Sequence, residues 1–348
     1  MRIAQTRPLF AWDELEDSPN LRTLKRLLES LPDAALLDGL RQMRGRGRDD
    51  YPVRVLWGVV ILTIALRHVT IEACLDELRR NADLRRLIGI DSERQVPKKW
   101  NVSRFLDVLG QEPHRTRLHA VFNVMAQRLG QAVPDLGRDT AGDATSLNAR
   151  RKQHAENAQA EVAEGLPQPT GGRKEYTDDS GTVTKVVTWF GYKLHLIVDV
   201  KHEVSLAYTG YEHERGTLKY RCPAVHEGWR CPSQDVCNAG REFGMTVRVK
   251  RDIDLRRFPP IPRATKQFEQ RYKGRTAVER VNARLKIFWG ADDGNIRGAR
   301  RFHAFVGCVM AVHLAFATVL ASTPRRDGTL GKMRLSPIAK ALQTAASG

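Results

Sequence analysis

QRYKGRTAVERVNARLK, residues 270–286, is the stretch on which the reading of this chain turns. At about 100° per residue, Arg275, Glu279, Asn282 and Lys286 fall within about 60° of one another on one helical face, and Tyr272 projects to the same side. Val278, Val281, Leu285 and Phe288 form an apolar stripe about a quarter-turn away, which predicts a helix over residues 276–289 docked on a core. By spacing alone, a solvated face with i, i+4 ion pairs, worth about a few tenths of a kcal/mol each, explains the charges.

Working outward, residues 241–301 hold 17 Lys and Arg against 7 Asp and Glu, so +10 of the chain's +17 net charge lies around this stretch. The 348 residues contain 41% apolar and 28% charged side chains. That balance supports a sizeable core and about two domains, and excludes a disordered chain, a collagen-like repeat and a disulfide-stapled miniprotein. A pI near 10.0 points to a polyanionic partner, nucleic acid before membrane, with an alkaline housekeeping enzyme as the bland alternative. Five cysteines and an N-terminus without an apolar signal core predict a reducing, cytoplasmic location. Residues 55–66 are too short to span a bilayer. Residues 305–321 carry His313 at their centre, so a buried helix and no membrane span are expected.

Residues 21–31, 33–43, 53–68, 71–87, 102–109 and 116–129 repeat apolar positions every three or four residues, which predicts a helical N-terminal domain over 1–130. After Pro134 the pattern changes. GRDTAGDATSL, residues 137–147, has strand character, whereas 153–165 and 166–181 read as loop or linker. Residues 183–200 form the clearest strand, with Tyr192, Leu194, Leu196 and Val198 alternating, and 204–208 pairs back on it. Residues 211–240 read as loop, 245–249 as a short strand, and 301–320 as a helix.

The Tyr-x2-Arg-x3-Glu-x6-Lys spacing of Tyr272, Arg275, Glu279 and Lys286 resembles the YREK signature of insertion-sequence DDE transposases. DYPVRVLWGVVILTIALRHVTIEACLDELRRNADLRRLIGI and VPKKWNVSRFLDVLG look like the N-terminal helical domain of those proteins, GDATSL like the first strand of their RNase H-like core, and GYKLHLIVD like the second. RGTLKYRCPA with the following CP…C resembles a cysteine-bearing insertion, and QRYKGRTAVERVN and NIRG resemble the closing blocks. The resemblance implies an α/β protein with a probable DNA-binding domain at 1–130, an RNase H-like transposase domain at 137–322 with its insertion at about 211–240, and a basic tail at 323–348. It further implies that Asp143 and Glu279 are catalytic and hold Mg²⁺ or Mn²⁺, while Tyr272, Arg275, Asn282 and Lys286 contact DNA. Two divalent ions held by carboxylates would activate the nucleophile and stabilise the leaving oxygen in phosphoryl transfer.

One part of the pattern is missing. In the family a further aspartate ends a fourth core strand before a Gly-Tyr-rich turn, but here residues 204–208 run almost directly into YEHERGT, as an internal deletion would produce. Asp199 ends a convincing strand and is the first surrogate to consider; Asp252 and Asp254 come after it. Cys222, Cys231 and Cys237, with His226 nearby, offer Zn²⁺ ligands, although their spacing lacks a C-x2-C pair and unpaired loop thiols are the simpler reading. His195 reads as a satisfied core histidine. Trp189 and Trp289 read as core residues before base-stacking ones, Asp139 as a turn or cap, and Arg44, Arg46 and Arg48 equally as phosphate contacts or as a solvated loop.

The expected function is that of a bacterial insertion-sequence transposase that binds double-stranded inverted-repeat ends, as a homo-oligomer on nucleoid DNA, and carries out metal-dependent cleavage and strand transfer. The alternatives are a catalytically inactive DNA-binding remnant and an RNase H-like ribonuclease.

Overall fold

The computed structural model describes residues 19–44, 51–148, 158–166, 168–178, 180, 182–208, 217–221, 232–239, 246–250, 265–292, 296–322 and 329–331. They fall in two compact units, residues 1–209 with 276–348 and residues 210–275.

Among the described residues, the N-terminal part of the first unit holds seven helices: α1 Pro19–Ser30, α2 Ala34–Arg44, α3 Val53–Ala65, α4 Ile71–Arg80, α5 Ala82–Leu87, α6 Lys99–Leu109 and α7 His114–Ala132. In α3, VRVLWGVVILTIA is apolar on nearly every side, as suits a helix enclosed by others, and only Arg54 escapes burial. Trp57 Nε1 donates to Asp33 Oδ2 at 2.7 Å, tying α3 to the turn before α2. The single helix expected over 71–87 is two. Asn81 leaves the helical region (φ −104°, ψ 106°), and its side chain accepts from the N–H groups of Asp83 and Leu84 to start α5.

A long apolar helix from the other end of the chain, α12 Ala299–Ala321, packs against α7, α6, α1 and α3. Among the described residues it is the one helix long and apolar enough to cross a membrane, and 89% of its apolar window is buried in the protein, as the sequence predicts. Gly110 at the end of α6 permits this closeness, since a Cβ there would stand 2.2 Å from the Arg300 carbonyl oxygen. The N-terminus of α12 is met by α8 Ala158–Ala163, which the sequence reading assigns to linker. Buried Glu161 accepts from the Ala299 N–H at 3.4 Å, and Glu164 beyond α8 pairs with Arg300.

The sheet of this unit is built on one 17-residue strand, β3 Val183–Asp199. β1 Thr140–Asn148 pairs antiparallel with residues 191–199, from Thr140 opposite Asp199 to Asn148 opposite Gly191. β4 Ser205–Tyr208 pairs with Leu196–Val198, so β1 and β4 flank the same half of β3. Gly191 marks the close approach of β1, where a Cβ would meet the Leu147 carbonyl oxygen at 1.9 Å. The other half of β3 pairs with β2 Thr170–Thr177. β2 corrects the loop expected at 166–181. TGGRKEYT shows no apolar alternation: the described side chains of this strand are exposed, as are residues 182–188 of its partner. Asp178 Oδ1 shapes its turn by accepting from the N–H groups of Ser180 and Thr182 at 3.0 and 2.9 Å.

In the second unit β5 Thr217–Arg221 pairs antiparallel with β6 Thr246–Lys250, so part of the stretch expected as loop is strand. Its described residues also form α9 Gln234–Asn238 and α10 Lys266–Lys273, the latter capped by Thr265 accepting from the Phe268 N–H at 3.1 Å. Helices and small antiparallel sheets make the chain a mixed α/β protein.

Candidate functional site

The helix that carries Glu279, α11 Thr276–Ile287, packs on β3 and β1. Val278, Val281 and Leu285, the apolar stripe read from the sequence, are fully buried. One flank of α11 is clamped to the β3–β4 turn: Arg280 and Arg284 both pair with the Glu203 carboxylate. Arg284 also donates to the Glu203 carbonyl at 2.9 Å and the Gly331 carbonyl at 2.8 Å, and only 7% of it is exposed. Sequence reading misses this clamp. Its one local signal is the four-residue spacing of Arg280 and Arg284, and Glu203 lies some eighty positions away.

The other flank reaches β1. Lys286 Nζ donates to the Ser146 carbonyl at 2.5 Å and lies 3.7 Å from Asp292, whose Oδ1 accepts from the Asn148 N–H at 2.5 Å. Glu279 stands two turns earlier on this flank and is exposed. Asn282, between them, is half-buried, and its Oδ1 has no hydrogen-bond partner among the described residues.

Asp143 lies directly opposite Leu196. Paired residues point to the same face of a sheet and alternate ones share it. Asp143 therefore belongs with Ala141, Thr145 and Leu147 on the face of buried Tyr192, Leu194, Leu196 and Val198. It is half-buried, and its Oδ1 accepts from the neighbouring Ala144 N–H at 2.8 Å.

The stripe from Tyr272 to Lys286 is divided. α10 ends at Lys273 with Gly274 as its cap, Arg275 lies in a turn, and α11 starts at Thr276, so helical periodicity joins Glu279, Asn282 and Lys286 but not Arg275. Tyr272 and Arg275 belong to the second unit. Within it, Arg275 Nη1 donates to the Tyr272 hydroxyl at 2.8 Å, its guanidinium carbon lies 5.7 Å from the tyrosine ring centroid, and Phe268 stacks on Tyr272 at 5.6 Å. Tyr272 is 54% exposed.

Asp199 does not join Asp143 on one face of the sheet. It follows Leu196 by three places, so it points to the opposite face from Asp143. Its carboxylate is already committed: Oδ1 accepts from the His202 N–H at 2.5 Å and Oδ2 from the Gly137 N–H at 2.7 Å, and 1% of the residue is exposed. Beside it, Asp135 bridges Lys201 at 2.5 Å and buried His202 at 3.0 Å. Those hydrogen bonds, Lys201's first, hold the Asp135 carboxyl down to about 2. The group fastens the link after α7 to the β3–β4 turn.

His195 corrects the sequence reading: it lies exposed on the uncovered face of β3. A fully buried histidine on another element is His313 of α12, whose Nε2 accepts from the Ser205 N–H at 3.1 Å. Burial, with Arg284 adding to it, pushes this imidazole down to about 3. Trp289 is a core residue, stacked on Phe316 with centroids 5.9 Å apart and edge-on to His313.

Cys222, Cys231, His226, Asp252, Asp254, Arg46 and Arg48 lie outside the described residues, as do the side chains of Cys237 and Trp189. Among the described residues no three His, Cys, Asp or Glu side chains form a group able to hold a metal ion. A pair of octahedral Mg²⁺ ions needs more than the two carboxylates of Asp143 and Glu279. The described donor set does not fit a two-metal centre. Cys74 and Cys308 are buried thiols, and burial pushes Cys74 up to about 12.

Residues 11–107 match a family model described as a transposase domain (DUF772), a span that takes in α1 to most of α6 and supports a transposase family. No curated protein and no solved structure matches the chain.

Proposed function

We propose that this protein is an insertion-sequence transposase that binds the DNA ends of its element, with Asp143 and Glu279 as the retained members of a DDE carboxylate site. The observation that carries the proposal is the packing of α11 on β1 and β3, the strands whose buried face Asp143 shares, in a chain whose residues 11–107 match a transposase domain. The antiparallel order β1–β3–β4 supports the opening of an RNase H-like core. Lys286 meets Ser146 and Asp292 meets Asn148, which sets the end of α11 and the segment after it beside the end of β1. In this reading Asp143 and Glu279 belong to one site, with Lys286 and Asn282 along the DNA path and Tyr272 and Arg275 as further DNA contacts. A net charge of +17 supports affinity for the DNA backbone.

The engagement of Asp199 favours a second reading, in which the protein binds ends without cutting them. Cleavage of duplex carrying the element's own ends, with Mg²⁺ or Mn²⁺, separates the two. Cutting that both Asp143→Asn and Glu279→Gln abolish establishes the carboxylate site. Retained binding with no cutting by the unaltered protein establishes the remnant, and absence of binding to any DNA overturns the proposal.

A further inference from the structure

α10, Lys266–Lys273, has no buried residue. Helices this short are marginal in water unless a face is packed, because nucleation costs more than two turns of hydrogen bonds return. α10 is held instead at its ends and along one side. Thr265 caps its start, and Lys273 pairs with Glu269, one turn back, at 3.1 Å. Phe268 stacks on Tyr272, and Arg275 lies over the tyrosine ring. At about 100° per residue, Gln267, Gln270 and Arg271 fall within about 100° of one another, clear of the side taken by the aromatic pair. All three are exposed, and none has a hydrogen-bond or ion-pair partner among the described residues. The segment is basic in sequence as well: residues 251–275 hold eight Lys and Arg against three Asp and Glu, and one of those acids, Glu269, is paired with Lys273.

An open helix face of two amides and a guanidinium, in a basic segment, is complementary to the major groove of duplex DNA. That groove admits an α-helix, and in it an amide side chain pairs with N6 and N7 of adenine and a guanidinium with O6 and N7 of guanine. We infer that α10 is a recognition helix, in which Gln267, Gln270 and Arg271 read base edges at the element's end and Lys266 meets a flanking phosphate. The inference rests on the DNA-binding reading above and deepens it, assigning sequence preference to α10 and not to the N-terminal helices alone. An apolar protein surface would leave these three side chains without partners, so the chemistry of the face favours nucleic acid.

The test measures binding of the full-length protein, by fluorescence anisotropy, to a labelled duplex carrying the element's own end and to a duplex of the same composition in shuffled order. The unaltered protein is expected to prefer the end. Gln267→Ala, Gln270→Ala and Arg271→Lys are each expected to weaken binding to the end about tenfold and to leave the shuffled duplex unchanged. Arg271→Lys keeps the charge and loses the two-pronged donor, so its loss reports base reading and not attraction to phosphate. Lys266→Ala is expected to weaken both duplexes alike and to reduce the slope of log affinity against log salt by about one. Because these side chains are exposed, an unchanged melting temperature verifies that the variants fold. No preference in the unaltered protein, or equal losses on both duplexes or none in the Gln267, Gln270 and Arg271 variants, overturns the inference and leaves the DNA-binding function standing. A change in sedimentation mass in those variants without a change in preference also overturns it, and makes α10 a contact between proteins. If the unaltered protein binds neither duplex, the proposed function fails and this inference with it.

Discussion

Residues 191–199, the second half of β3, run between β1 and β4 with Tyr192, Leu194, Leu196 and Val198 buried beneath helices, whereas residues 183–190 pair with β2 alone and leave Val183, Val186 and Val187 exposed. The two halves share one backbone and similar β-forming residues, yet only one has a buried face. Strand formation at 183–190 is therefore a matter of hairpin hydrogen bonds, while at 191–199 it is also a matter of burial. The candidate site grows on the second half, because only there is an acidic side chain held against a packed surface.

Four measurements would sharpen this contrast or break it. Leu196→Ala is expected to cost about 2–5 kcal/mol in urea unfolding, as for a fully enclosed leucine, while Val186→Ala stays within about 0.5 kcal/mol. Equal costs would show that the ribbon is packed in solution. Asp199→Ala leaves two backbone N–H groups without acceptors and is expected to cost about 2–4 kcal/mol, whereas Asp143→Asn leaves stability nearly unchanged. The reverse order would mean that Asp143 is the structural acid.

The third is pH. His313 titrates lower in the folded protein than its ordinary value, so its contribution to stability is fully present above about pH 6.5 and is lost progressively as pH falls toward its folded value. His313→Asn should flatten that portion of the stability profile, and a profile that keeps its slope assigns the acid sensitivity elsewhere. The fourth and mildest effect is in hydrogen exchange at neutral pH: amides of 194–198 are expected to exchange only through global opening, and those of 183–188 by local fraying.

The same contrast explains what was legible in the sequence. Alternation over 192–198 and the stripe Val278, Val281, Leu285 announce their burial because each buries one periodic face. β2 announces nothing, since a strand whose described side chains are exposed carries no period. The break at Asn81 is a side-chain capping event inside an otherwise continuous helical pattern. Apolar neighbours suggest a buried His195, but the alternation that buries Leu194 and Leu196 requires His195 to face out. Asp199 has the position of a site residue. Its second N–H partner, Gly137, lies 62 residues away, and only the folded chain shows that its oxygens are occupied. The pairing of Arg280 and Arg284 with Glu203 is likewise a product of the fold.

The position of α12 has a consequence for synthesis. Helices α1 to α7 are complete once residue 132 has been translated, but the helix against which α1, α3, α6 and α7 pack ends at residue 321. At about 5–20 residues per second, roughly 10–40 s pass before that helix exists. Throughout that interval the nascent bundle leaves uncovered the apolar surface on which α12 packs, a natural target for chaperones.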